Sequence, residues 1–185
     1  MESVSETDDL KLSCNWVIWF HSINNKSWTE KDYSPIKKKI SSVKDLLEFY
    51  NSFKYIDFKH NHVFIMREGV KPTWEDEQNR RGGICSFKTL FFNKDHENLA
   101  SINVFRYLLL RVCGETLHTD INKQETITGI SISPKIYQNN TKKITCIIKL
   151  WNNDSSDDLS KTMNKDVLNK YESLSIRYKP TEPEN

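Results

Sequence analysis

Residues Arg67–Gly83 read REGVKPTWEDEQNRRGG, and the rest of the chain is read outward from them. Gly69 and Pro72 on one side and the Gly82-Gly83 pair on the other are turn residues, which predicts that Trp74 stands on a loop. Trp74 is followed at once by Glu75-Asp76-Glu77. A loop Trp beside a carboxylate suits a flat, positively charged ligand. The indole face attracts a cationic ring, and the carboxylate accepts two parallel hydrogen bonds from an edge that carries N–H groups. The competing expectation is a Trp that plugs the core among solvated charges.

The flanks of this stretch read as one folded unit. At 185 residues the chain suits one domain with a full core. Residues 1–11 read as a flexible tail, 12–180 as the domain and 181–185 as a short C-terminal tail. Trp16-Val17-Ile18-Trp19-Phe20 predicts a buried strand, and the polar run after it delivers Trp28 into a second loop. Ser42-x-x-Asp45 is a capping box before a helix over 43–53, with Val43, Leu46, Leu47, Tyr50 and Phe53 at helical spacing. Strands are predicted over 63–66 and 84–92, and a helix over 99–113 that Gly114 ends. Strands over 127–133 and 143–151 form a long hairpin, and Lys149 and Trp151, two apart, share a face. A helix over 156–171 and a strand over 174–178 complete an α+β domain, with helices against one face of a mostly antiparallel sheet.

Composition excludes several classes. The net charge of +2 is too small for a general nucleic-acid binder, so any basic site is local. Cys14, Cys85, Cys113 and Cys146 lie far apart without CxxC spacing, which speaks against a zinc ribbon or redox pair and for reduced thiols in an intracellular, cytoplasmic protein. No stretch reads as a signal peptide or membrane span. Paired catalytic carboxylates, a Gly-rich phosphate loop and a nucleophile–base pair are all lacking, and the His residues have no convincing ligand company. The expectation is a binding protein with no cofactor, no metal and no catalytic residue.

Trp16-x-x-Trp19-Phe20, the loop Trp28, the segment Pro72-x-Trp74-Glu75-Asp76-Glu77-x-Asn79-x-Arg81-Gly82-Gly83 and the late Trp151 together resemble the translation initiation factor 4E family, from about Trp16 to Tyr178. These proteins bind the 7-methylguanosine cap of messenger RNA. The resemblance implies a curved, mostly antiparallel sheet with about three helices on its convex face and the cap pocket on the concave face. It implies that Trp28 and Trp74 sandwich the methylated base, that Glu75 reads the guanine edge and that Trp151 contacts the methyl group. Basic residues of the late hairpin would hold the phosphates: Lys135 as the first, with Lys142, Lys143 and Lys149 all qualifying as the second and strand parity favouring Lys149. Just after Gly83, where the family often has Arg, this chain has Ile84.

The resemblance also implies a partner, a scaffold of the 4G-type initiation factor or a diverged equivalent, bound to a protein that is monomeric on its own. The surface for it would be Val43, Leu47, Arg106, Tyr107 and Leu110. Leu47 stands where the family has a Trp anchor, and Arg106-Tyr107 where it has a Leu-Glu pair. Loss of a Trp hot spot costs about 2 kcal/mol, so a changed partner specificity follows. Two functions are therefore expected: recruitment of capped mRNA to translation through a scaffold, or a cap-sequestering repressor that lacks orthodox scaffold binding.

Overall fold

The computed structural model describes residues 10–92, 97–135 and 144–181. In chain order its elements are β1 (Lys11–Ser22), β2 (Ser34–Pro35), β3 (Ile40–Ser42), α1 (Val43–Ser52), β4 (Asn61–Arg67), α2 (Glu77–Arg80), β5 (Gly83–Leu90), α3 (Ser101–Cys113), β6 (Ile127–Lys135), β7 (Thr145–Asn152), α4 (Leu159–Thr162), α5 (Lys165–Lys170) and β8 (Ser175–Pro180). The strands form one sheet in the order β2-β1-β4-β6-β7-β5-β8, with β3 also on β1. Every strand pair in it is antiparallel. The α+β expectation holds.

Period-2 alternation gives the sheet two different faces. Ile18, Val63, Ile65, Cys85, Phe87, Ile130, Ile132, Ile148 and Leu150 point toward the helices and share a core with Leu46 and Phe49 of α1 and Val104, Phe105, Leu108, Leu109 and Val112 of α3. The intervening positions face the other way, where Tyr33, Phe64, Met66, Val70, Ile84 and Trp151 form a smaller apolar cluster with Trp19 against it. This second cluster underlies the candidate site and contributes Tyr33, Phe64 and Trp151 to its lining.

Ser42 caps α1 by accepting a hydrogen bond from the Asp45 N–H at 3.1 Å. The buried face of α1 differs from the one expected: Leu46 and Phe49 go inward, while Leu47 is 49% exposed. The helix packs with a narrow stripe, so Val43 and Tyr50 flank it half-buried. In α3 Leu108, Leu109 and Val112 are buried and Leu110 is on the surface. The helix expected over 156–171 is two helices. Met163 adopts an extended conformation and bridges His118, and Asn164 starts a new helix by accepting from the Asp166 N–H. Leu159, Met163, Val167 and Tyr171 still bury on one side, which is why the periodicity resembled a single helix. Two further strand ends moved inward: β5 stops at Leu90, and β7 begins at Thr145. Lys142 and Lys143 lie outside the described residues.

Among the described residues no helix is long and apolar enough to cross a membrane. The four cysteines are free, three of them buried.

Gly82 lies where only a hydrogen fits, because a Cβ there would come within 1.6 Å of the Asn152 carbonyl oxygen. Gly82→Ala should therefore destabilise the protein by roughly 3 kcal/mol, lowering the melting temperature by about 6–12 °C in a circular-dichroism melt. An unchanged melt would mean that the crossing of these two segments is looser than described.

Candidate functional site

The loop between β4 and β5 is shaped by one buried side chain. Asn79, 1% exposed, donates from Nδ2 to the carbonyls of Lys71 and Thr73, both at 2.8 Å, and accepts at Oδ1 from the Thr128 hydroxyl at 3.0 Å. Asp76 caps α2 by accepting from the Gln78 N–H and also accepts from the Lys71 N–H. Gly69, with φ of +90°, turns the chain out of β4. The Gly83 N–H, at the loop's end, donates to Asn152 Oδ1 at 2.8 Å. The start is held equally firmly. Arg67 donates to Glu115, to the carbonyls of Ile127 and Gln124 and to Cys14, with its guanidinium 4.9 Å from the Trp16 ring centroid. Between these anchors Trp74 and Glu75 stand exposed at the loop tip.

Trp28 sits on a second braced loop. The Asp32 carboxylate collects hydrogen bonds from Asn25, the Ser27 hydroxyl, and the Thr29 hydroxyl and N–H, and these hold its pKa well below the usual carboxylate range. Beneath Trp28 the His21 ring stacks face to face, with centroids 4.0 Å apart and planes within 3°. His21 Nε2 lies 2.7 Å from the Ser27 carbonyl oxygen. One indole face is therefore covered by imidazole, and Trp28 as a whole is still 49% exposed.

Both loops open on a cavity of about 1090 Å³ on the face away from the helices. Trp28, Trp74, Glu75, Lys135, Lys149 and Trp151 all line it. Trp151 is almost fully buried, donates from Nε1 to the Ser131 hydroxyl at 3.0 Å, and meets Trp74 edge to face at 6.5 Å. Lys149 Nζ lies 5.7 Å from the Trp74 ring and 5.9 Å from the Trp151 ring. The pocket thus already draws a cation to its indoles, the protein's own. Burial, and then the neighbouring Lys135, push the Lys149 pKa below its ordinary value. Tyr33, on the pocket wall, is pushed up to about 12 by burial and by the Glu75 and Asp32 carboxylates.

Several lining residues had no signal in the sequence: Tyr33, His62, Arg80, Ser133, Lys179 and Thr181. They come from five different segments, and only the strand register brings them together. Lys179 pairs with Ile84, which itself pairs with Trp151, so a lysine of β8 stands beside the position where the family's Arg was missed. Val43, Leu47, Arg106, Tyr107 and Leu110 lie apart from the cavity on α1 and α3. There the Arg106 guanidinium stacks 4.8 Å from the Tyr50 ring, and Tyr107 accepts a hydrogen bond from Arg111. Among the described residues no group of three or more His, Cys, Asp or Glu side chains gathers to hold a metal.

A family model for eukaryotic initiation factor 4E matches residues 11–184. The chain belongs to the eukaryotic initiation factor 4E family. It is 29% identical over 159 residues to the Candida albicans eukaryotic translation initiation factor 4E, covering 83% of this chain and 69% of that one. Across four such relatives the chain spans 51% to 69% of their length. The fold matches that of Ascaris suum eIF4E-3, solved in complex with the m7G cap, with a TM-score of 0.68 at 22% identity over 95% of this chain and 93% of that one. It also matches C. elegans eIF4E-3, solved with the 4E-binding protein Mextli and a cap analog, with a TM-score of 0.67 at 20% identity over 92% of each chain.

His62, on the pocket wall, is pushed down from 6.5 to about 4 by burial first, then by His21, Lys135, Lys149 and Lys26. The unfolded chain takes up this proton near pH 6.5 while the folded protein resists it. Stability is therefore complete above that pH and falls as the pH drops toward 4. His62→Gln should flatten this part of a stability-against-pH profile measured by denaturant melts. An equal slope in both proteins would place the proton uptake elsewhere.

Proposed function

We propose that this family member binds the 7-methylguanosine 5′ cap of mRNA and recruits it for translation initiation through a scaffold partner. It acts as a cytoplasmic binding protein and carries out no chemistry. The observation that supports the reading best is the cavity itself, where two half-exposed indoles, Trp28 and Trp74, and the Glu75 carboxylate open on one space. The stated contents of the solved relatives support the same ligand and a protein partner.

In this reading Trp28 and Trp74 stack on the two faces of the base. N7-methylation makes the base cationic, which adds about 1–2 kcal/mol to the stacking over plain guanine. Glu75 accepts from the guanine N1–H and exocyclic amine, and Trp151 bounds the methyl end. Lys149 leaves the indoles as the cationic base arrives and turns to the phosphates with Lys135. The exchange replaces one cation–π contact by another and releases a partly desolvated ammonium to a polyanion.

Tryptophan fluorescence tests this directly. Titration with 7-methylguanosine triphosphate should quench strongly, and unmethylated guanosine triphosphate weakly. Trp28→Ala or Trp74→Ala should nearly abolish retention on a cap resin without altering the melt, and Glu75→Ala should cost about 2 kcal/mol of affinity. Equal quenching by both nucleotides would refute the cap reading.

The scaffold side supports a changed specificity. Leu47 is exposed where a larger anchor is expected, Arg106 lies against the Tyr50 ring, and Tyr107 stands where the family's acidic residue would present a carboxylate. A protein that keeps the pocket and lacks orthodox scaffold binding would instead repress translation of capped messages. Leu47→Trp should strengthen binding of an orthodox Tyr-x-x-x-x-Leu scaffold peptide by about 2 kcal/mol in calorimetry. Nanomolar binding by the unaltered protein would show that its specificity is orthodox.

A further inference from the structure

None of the strands described contains an Asp or a Glu. Among the described residues of β5, β6, β7 and β8, five cationic side chains lie on the pocket face of the sheet. Lys135 and Lys149 are on β6 and β7, and Lys88, Arg177 and Lys179 are on β5 and β8 at the same parity as pocket-floor Ile84. Their order follows from the register. Lys149 pairs with Ser86, and Ser86 with Arg177, so one strand row reads lysine, serine, arginine. Lys179 is two residues beyond Arg177 on β8. Lys88 is the diagonal neighbour of Arg177, since it pairs with Ser175.

Lys88, Arg177 and Lys179 are exposed, and among the described residues none of them forms an ion pair with a carboxylate. Like charges gathered on one face without acidic partners repel each other, a cost that a bound polyanion relieves. Arg177 and Lys88 are outside the set of residues that line the cap cavity, whereas Lys149 and Lys179 are in it. The row therefore begins at the cavity and leads across two strands to the outer edge of the sheet, about 10 Å at ordinary strand spacing. A nucleoside triphosphate held by Trp28 and Trp74 would use the inner cations only. The outer ones have work only if the ligand continues.

We propose that Arg177 and Lys88, reached from the cavity by way of Lys179, form an outer lane for the phosphodiester backbone of the single-stranded RNA that follows the cap. This inference rests on the cap reading above and extends it from the cap nucleotide to the chain behind it. The lane holds phosphates and reads no bases, because its side chains are point charges or a guanidinium fork without an aromatic platform beside them.

The test compares three ligands by fluorescence anisotropy or quenching at 50 and 200 mM salt: 7-methylguanosine triphosphate, a capped RNA 8-mer and the same 8-mer uncapped. The proteins are the unaltered chain, Lys88→Ala/Arg177→Ala, and the charge-keeping Lys88→Arg/Arg177→Lys. All three should melt alike, since both positions are exposed. The unaltered protein should bind the capped 8-mer on the order of tenfold more tightly than the triphosphate at 50 mM salt. The double alanine variant should lose that advantage while binding the triphosphate as before. Its capped 8-mer should then lose about sevenfold less affinity between 50 and 200 mM salt, the effect of two phosphate contacts. The charge-keeping variant should retain the advantage.

The lane is overturned if the capped 8-mer binds no better than the triphosphate, or if the alanine variant keeps the advantage. Failure to bind the triphosphate at all refutes the cap reading instead. The uncapped 8-mer then judges the lane alone: affinity lost in the alanine variant upholds it, and equal affinity in both proteins overturns it.

Discussion

The buried Asn79 amide is the contact on which the rest of the site depends. The fifteen residues between β4 and β5 have no sheet of their own to hold them, and their backbone groups need partners if any of them is buried. Asn79 supplies them from a single side chain, joining the carbonyls of Lys71 and Thr73 to the Thr128 hydroxyl of the sheet. An amide has donors and an acceptor on one planar group, which neither Asp nor Leu could reproduce. With that clamp in place, Trp74 and Glu75 can be exposed and still be fixed in direction. A recognition site needs this combination, because an indole free to wander would lose rotamer entropy on binding.

The same division of labour recurs on the other loop. Asp32 gathers four donors around the Trp28 turn, and His21 supports the indole from behind. Neither residue has to touch a ligand. Both indoles are presented by hydrogen-bonded loops from the rims of a sheet whose pocket face is apolar at Phe64, Met66, Ile84 and Trp151 and cationic toward Lys135, Lys149 and Lys179. In the proposed reading, the apolar floor would exclude water from the base and the cations would meet its phosphates. The opposite face is given over to the core and the helices, so the two surfaces are separated by the thickness of the sheet.

That separation explains where sequence reasoning went astray. Helical periodicity over 156–171 predicted one helix, and the buried residues do follow it, yet Asn164 begins a second helix because its side chain caps Asp166 more favourably than it continues a turn. In α1 the apolar residues outnumber those the sheet can cover, so Leu47 is left exposed and Phe49 is taken in. Periodicity gives a face of about the right width; the neighbouring surface selects which residues of it are used.

The antiparallel α+β architecture was legible in the residues themselves, from turn chemistry and strand alternation, whereas the family and the grouping of Trp28, Trp74, Glu75 and Trp151 as candidates came from the resemblance that the Pro72–Gly83 motif and the spaced Trp residues carry. The tertiary structure alone decided that His21 lies under Trp28, that Asn79 and Asp32 brace the two loops, and that Lys179 stands beside Ile84. The physical reason is strand pairing over long separations. Ile84 and Lys179 are far apart in sequence, and a register shift of one residue would turn Lys179 to the helix side. Nothing in the residues around position 179 specifies that register; it is set by the whole sheet, strand by strand, as each buries its apolar face.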